Sequence, residues 1–352
     1  MNQRIRNILA KLKEKNLDCL LVSSEANISY LAKFRSRDSY LLVSKKGNIY
    51  FTDCRYTQEA KFNLKGAAEI KKINGSSMAL IADTCHSLRV EKIGIEEEHF
   101  SFAAYKKLRR CLKSKGNLVS ASGAIEELRQ IKDNEEIKKI REAIRITRSA
   151  LKFIKSFIKA GRKEIEVAAE LERFIRYQGA SSAAFDIIVA SGPNSSLPHH
   201  ITGERKLMKN EPVLVDIGVD YFGYKSDLTR VFFLGKINIL AQEVGEILLE
   251  AQARAIKRIK PGVCAKEIDA ASRDYIIQQG YGEYFGHALG HGIGLEVHEA
   301  PRISGKERVS LASGMVFTIE PAIYLPGKFG IRLEDNILVT KKGCEVLSGA
   351  IN

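Results

Sequence analysis

Residues 215–232 read VDIGVDYFGYKSDLTRVF, two apolar, strand-like runs on either side of a turn near Tyr221–Gly223. Two aspartates stand eleven positions apart in this stretch, Asp216 and Asp227. A hairpin centred between Tyr221 and Phe222 sets them directly opposite each other on one sheet face, with Cβ atoms about 4.5–5.5 Å apart. Like charges at that distance repel unless a cation lies between them. One of the two could instead end a strand and face solvent, so the hairpin alone leaves both readings open.

Three later segments narrow the choice. Glu320 ends the apolar run MVFTIE before Pro321, Glu334 lies in the strand-like GIRLEDNILV, and His291 lies in the glycine-rich GHGIG. Carboxylates are depleted from such strands, and a lone one is ordinarily explained by an ion pair, here with Arg332. Four carboxylates and an imidazole in apolar or glycine-rich surroundings are not explained that way. An unpaired buried carboxylate costs several kcal/mol or about that, so it takes up a proton or finds positive charge. Two divalent cations balance four carboxylates and leave room for a hydroxide, which points to a dinuclear hydrolytic site. Five of the seven histidines, His199, His200, His287, His291 and His298, fall between positions 199 and 298. In HALGHGIGLEVHE one reads as a metal ligand and the others as hydrogen-bonding or proton-transfer groups.

The segments SGPNSSLPHH (191–200), VDIGVDYFGYKSDLTRVF (215–232), GHALGHGIGLEVHEAP (286–301), FTIEPAIY (317–324) and GIRLEDNILVT (330–340) resemble the pita-bread metallopeptidases. The likeness is to the proline-specific branch, aminopeptidase P and Xaa-Pro dipeptidase (prolidase), and spans essentially the whole chain. It implies that Asp216 chelates one metal, that Asp227 and Glu334 bridge both, and that His291 and Glu320 bind the second. It implies hydrolysis of the bond before a proline by a metal-bridged hydroxide, with Glu320 as proton shuttle. His199 and His298 match histidines that hold the scissile peptide and stabilise the tetrahedral intermediate. His287 matches one lining the prolyl pocket, and Arg332 one bracing the bridging glutamate. A donor set of oxygens and one imidazole, without thiolate, suits Mn, Co, Fe or Zn. Manganese is the expected metal.

The rest of the chain is consistent with this. Its 352 residues suggest two domains, and a hydrophobic content of 45% is ordinary for a globular protein. No run approaches the ~20 apolar residues of a membrane span. MNQRIRNILAKLKEKNLD reads as an amphipathic helix rather than a signal peptide, and six scattered cysteines read as buried reduced thiols, so a cytoplasmic protein is expected. The expected fold is a small α/β amino-terminal domain over 1–122, a linker over 123–133, and an α+β pita-bread catalytic domain over 134–352. NISYLAKF and YFTDCRYTQEA resemble the creatinase/prolidase amino-terminal type. A long helix should start near Asn134, capped by Asp133 or Asn134, with Glu135 and Glu136 in its first turn.

Residues 1–132 hold 25 Lys and Arg against 14 Asp and Glu, a net of +11, and residues 133–352 a net of +3. The basic clusters are dispersed and not interleaved with aromatics, so a solvated lysine-rich surface is preferred over nucleic-acid or membrane binding. The expected partners are peptides with proline at the second position and a second copy of the chain in a homodimer. The competing readings are a prolidase restricted to Xaa-Pro dipeptides and a non-catalytic binding or chaperone module on the same fold. Methionine aminopeptidase would not need the first 120 residues, and creatinase lacks these ligands.

Overall fold

A computed structural model describes residues 3–113 and 115–349. The chain divides into two compact units, Met1–Arg129 and Gln130–Asn352. In the first, strands β1 (Cys19–Val22), β2 (Ser39–Ser44), β3 (Gly47–Thr52), β4 (Glu69–Lys72), β5 (Lys92–Ile95) and β6 (Asn117–Ser120) form one mixed sheet in the order β4-β3-β2-β1-β5-β6. Helix α1 (Gln3–Glu14) precedes the sheet, helices α2 (Glu25–Ala32), α3 (Thr57–Asn63), α4 (Ser77–Ser87) and α5 (Phe102–Leu112) connect its strands, and the single turn α6 (Glu126–Arg129) follows it. Apolar positions set the packing: α1 buries Ile5, Ile8 and Leu12, while Ile81 of α4 and Leu108 of α5 join Leu21, Leu42 and Phe51 in one core.

The second unit opens with α7 (Asn134–Ile154). Asp133 caps it, accepting from Glu135 N and Glu136 N at 3.0 and 2.9 Å, and the Glu136 side chain returns to Asp133 N at 2.9 Å. This reciprocal pair satisfies amides that the first helical turn otherwise leaves bare. Together α7 and α8 (Glu164–Tyr177) cover a sheet of β8 (Ile188–Ser191), β9 (Pro212–Ile217) and β12 (Leu228–Phe233) in the order β12-β9-β8. A smaller sheet holds β7 (Ser182–Ala183), β10 (Val219–Tyr221) and β11 (Tyr224–Lys225). The second helix pair, α9 (Ile239–Arg258) and α10 (Ala265–Gln278), shares a separate core with the remaining strands. These are β13 (Gly290–Gly292), β14 (Glu299–Ile303), β15 (Val316–Ile319), β18 (Asp335–Val339) and β19 (Cys344–Val346) in one sheet, and the hairpin of β16 (Ala322–Leu325) with β17 (Phe329–Arg332).

Three sequence expectations need correction. The β9–β12 hairpin turns one residue later than expected, at Phe222–Gly223, where both φ angles are positive (48° and 86°). Two-residue hairpin loops favour that geometry, and glycine at the second position supplies half of it without strain. Thr229 therefore lies opposite Asp216, with Asp227 two positions back. Glu334 is not inside a strand: Leu333 and Glu334 form a break between β17 and β18. The cysteines are all free, but only Cys19 and Cys85 are buried, Cys54 being exposed.

Candidate metal centre

The carboxylates arrive from four chain segments. Asp216 projects from β9, Asp227 from the break between β11 and β12, Glu320 from the residue after β15, and Glu334 from the break before β18. His291 is the middle residue of β13, flanked by Gly290 and Gly292. A Cβ at Gly290 would overlap the Thr318 carbonyl, so glycine permits the approach that brings His291 to Glu320. The His291 Nε2 atom lies 3.2 Å from Glu320 Oε1 and 3.7 Å from Asp227 Oδ2.

Donor atoms of Asp216, Asp227 and Glu334 lie within 4.8 Å of one another, and so do those of His291, Glu320 and Glu334. Asp227, His291 and His298 form a third such group. Asp227, Glu334 and His291 each belong to two of the three groups, and each trio could hold a cation. Buried oxygens Asp216 Oδ1, Asp227 Oδ1 and Glu334 Oε1 have no hydrogen-bond partner among the described residues. Two of the second oxygens are held: Arg332 Nη2 donates to Asp216 Oδ2, and Thr229 Oγ1 donates to Glu334 Oε2 at 2.7 Å, while Asp227 Oδ2 lies 3.7 Å from His291 Nε2. Burial without a partner is costly for a polar atom and more so for a charged one, so this arrangement is fitted to a cation.

Neighbouring acids are excluded by their own partners. Asp220 pairs with Lys225, and Asp335 accepts from Arg230 at 2.7 Å and Ser348 at 2.6 Å. Charge within the cluster is unevenly distributed. Burial, then the charges of Glu334 and Asp216, push Asp227 well above the carboxylate range. Burial and then Glu320 and Asp216 do the same to Glu334. For Glu320 burial acts in the same sense, but the His291 hydrogen bond and charge outweigh it and hold the group below its ordinary value. His291 is raised, because its bond to Glu320 overcomes the effect of burial.

The Nδ1 of His291 can only donate to the Gly292 carbonyl, 3.1 Å away. In the neutral ring this leaves the Nε2 lone pair facing the carboxylates, the tautomer a metal ligand needs. The His298 ring stacks edge-on to His291 at 4.2 Å and is exposed to the cleft, and burial, then the His291 charge, lower its pKa. His199 also faces the cleft, on the loop that follows β8. His287 sits deeper: Nδ1 donates to Ala288 O at 2.7 Å, and Nε2 meets the Tyr324 hydroxyl at 3.2 Å. Arg332 Nη1 donates to the same hydroxyl at 2.7 Å. Tyr324, whose pKa burial pushes up to about 12, thus links Arg332 to His287.

All nine residues singled out by sequence, Asp216, Asp227, His291, Glu320, Glu334, His199, His287, His298 and Arg332, line one cleft of about 1260 Å3 within the second unit. Sequence reasoning missed Thr229, Tyr324 and Arg273. Tyr324 lay inside a quoted motif, but nothing in FTIEPAIY says which residue its hydroxyl meets. Arg273 of α10 is held by Asp269 at 2.7 and 2.8 Å and donates to Phe285 O at 2.9 Å and His287 O at 2.7 Å. It fixes the backbone that carries His287.

Comparison with known proteins agrees with this geometry. The model of metallopeptidase family M24 matches residues 138–341, and the creatinase/prolidase N-terminal domain matches residues 4–131. A curated Xaa-Pro dipeptidase of Pyrococcus horikoshii is 36% identical over 353 residues, covering 99% of this chain and 97% of that protein. A solved Xaa-Pro dipeptidase from Bacillus anthracis superimposes with a TM-score of 0.95 at 40% identity, covering 99% and 97% of the two chains. An X-Pro aminopeptidase from Thermotoga maritima gives 0.89 at 36% identity, covering 99% and 98%. The chain belongs to metallopeptidase family M24, in its pita-bread prolidase branch, and is a metallopeptidase with an amino-terminal domain of the creatinase/prolidase type.

Proposed function

We propose that the protein is a dinuclear exopeptidase that removes the residue preceding a proline. The observation that carries this is the convergence of three unpartnered buried carboxylate oxygens, of Asp216, Asp227 and Glu334, beside His291 and Glu320. Asp216 would hold one cation, His291 and Glu320 the second, and Asp227 and Glu334 both. Divalent cations there supply the Lewis acidity and the acidified water that peptide hydrolysis needs near neutral pH. The oxygen-rich donor set supports manganese, with cobalt, zinc and iron as substitutes.

The side chains divide the remaining work. Thr318 and His291 engage Glu320 Oε1, which leaves Oε2 as the atom to carry a proton towards the leaving nitrogen. His298 and His199 face the cleft from two loops and are positioned to bind the scissile carbonyl. Tyr324, held by Arg332, fixes the His287 ring, and this wall would take the pyrrolidine ring. Burying a methylene is worth about 0.8 kcal/mol, so two extra methylenes and a fixed φ give about 10–100-fold preference over alanine. A homodimer completes the proposal, supported by the sequence resemblance alone, and a cytoplasmic location is supported by the six cysteines, all of them free.

The relatives named Xaa-Pro dipeptidase favour a narrower second reading, a prolidase that takes only dipeptides. Ala-Pro, Ala-Pro-Ala and Ala-Ala, each assayed with manganese, cobalt and zinc, test the proposal. Cleavage of both proline peptides with weak or no cleavage of Ala-Ala is expected. Cleavage of Ala-Pro alone selects the prolidase, and equal kcat/KM for Ala-Pro and Ala-Ala removes proline specificity.

A further inference from the structure

Glu164 is a fully buried carboxylate that the proposed chemistry does not use. It is the first residue of α8, and it accepts from Ser191 N and Ser191 Oγ, both at 2.8 Å. Asn194 Nδ2 lies 3.1 and 3.2 Å from its two oxygens, and His200 Nε2 lies 2.9 Å from Oε2. Every one of these donors belongs to the segment 191–200, which carries His199. The segment has other fastenings. Ser195 Oγ accepts from Gly330 N at 2.9 Å, and Thr202 Oγ1 accepts from Val189 N at 2.8 Å and donates to Ile187 O at 2.9 Å. Arg332 Nη1 reaches Pro198 O at 3.3 Å. Among the described residues, the His200 side chain is the hydrogen-bonded tie between 198–202 and α8, with Ile165 N donating to Gly203 O at 3.0 Å just beyond, and it adjoins His199.

We infer that Glu164 and His200 are positioning residues for His199. The buried carboxylate fixes the His200 ring, and that ring fixes the backbone from which the exposed His199 reaches into the cleft. Paired with a carboxylate on one side, His200 has a role its neighbour lacks, although the two are consecutive histidines. The inference rests on the proposed role of His199 in binding the scissile carbonyl. A displacement of about 1 Å in such a group costs on the order of 100-fold in rate, so a loss of roughly 10–100-fold in kcat is expected from His200→Ala, with KM little changed.

A double-mutant cycle separates positioning from plain structural support. His199→Ala, His200→Ala and the double variant are compared for kcat on Ala-Pro, with metal content measured in each. The expected result is that His200→Ala costs nothing further once His199 is gone, and that His200→Gln, whose amide nitrogen can reach Glu164, restores most of the activity. Additive losses would overturn the inference, since His200 would then act on substrate or on the fold by itself. A second readout does not depend on what the protein cleaves. In metal-loaded protein with labelled histidines, His200→Ala and Glu164→Gln should broaden or shift the His199 ring resonance while leaving those of His86 and His99 in place. An unchanged His199 resonance would overturn the positioning role, whereas failure of the wild-type protein on all proline peptides would count against the proposed function alone.

Discussion

Asp227 and Glu334 are buried carboxylates whose pKa values are raised by burial and by the charges of neighbouring carboxylates. In the metal-free protein they therefore hold protons that the unfolded chain releases near its ordinary value of about 4. The folded state then binds more protons than the unfolded one, so stability must fall as pH rises from that value through the raised pKa. Glu320, lowered by His291, works in the opposite sense and loses its contribution as the pH drops through its own depressed pKa. Thermal melts of chelator-treated protein should show a falling Tm as the pH rises above about 4, largely abolished by saturating manganese. A flat profile without metal would mean the carboxylates are ionised and otherwise compensated. His298 belongs to the same scale. Its ring touches that of His291 but faces the cleft, so His298→Ala should cut kcat by the equivalent of about 2.7–4 kcal/mol, as for one lost oxyanion donor, with metal content preserved. Loss of metal instead would exchange the roles of His291 and His298. At this scale the metal-type residues were legible because carboxylates in apolar runs are anomalous. Thr229, Tyr324 and Arg273 were not, because an ordinary residue becomes informative only when a distant segment packs against it.

Elements were read well where a local rule governs them. The start of α7 was legible because Asp133 and Glu136 have the spacing of a capping box, and nothing remote is needed to form one. Asp133→Ala should lower stability by about 1 kcal/mol, within the range of ~0.5–2 for lost caps, measured by denaturant titration of the metal-loaded protein. No change would mean that solvent replaces the cap at no cost. The hairpin register was missed by one residue, since YFGY permits two turn positions and only the positive φ of Phe222 and Gly223 decides between them. The error is instructive. It moves the facing partner of Asp216 from Asp227 to Thr229, yet Thr229 is the residue that holds Glu334, so the true register connects the hairpin to the opposite half of the site. The helix α2 carries no such local signal: EANISYLA is short and weakly patterned, and its Ser24 cap accepts from Asn27 N.

For the molecule as a whole, the order of motifs carried the family, and amphipathic patterning carried the first helix of the amino-terminal unit. What the sequence could not display is that the second unit contains two helix pairs, each with its own core, and that each half contributes metal-type side chains to the cleft. Asp216 and Asp227 lie in or next to the sheet under α7 and α8, while His291, Glu320 and Glu334 lie in or next to strands that share a core with α9 and α10. Neither half has enough donors to balance two cations, so the centre exists only when both halves are folded together. Uptake of metal should accordingly be linked to folding of the entire catalytic unit. The claim that two cations share Asp227 and Glu334 is tested most directly by titrating chelator-stripped protein with manganese and counting bound ions per chain, in the wild type and in Asp227→Asn. Two ions per chain in the wild type, and one or none in an Asp227→Asn variant that keeps its fold and has lost peptidase activity, is the predicted result. A wild type that binds a single ion at saturation, or an Asp227→Asn variant with two ions and undiminished turnover, would contradict it.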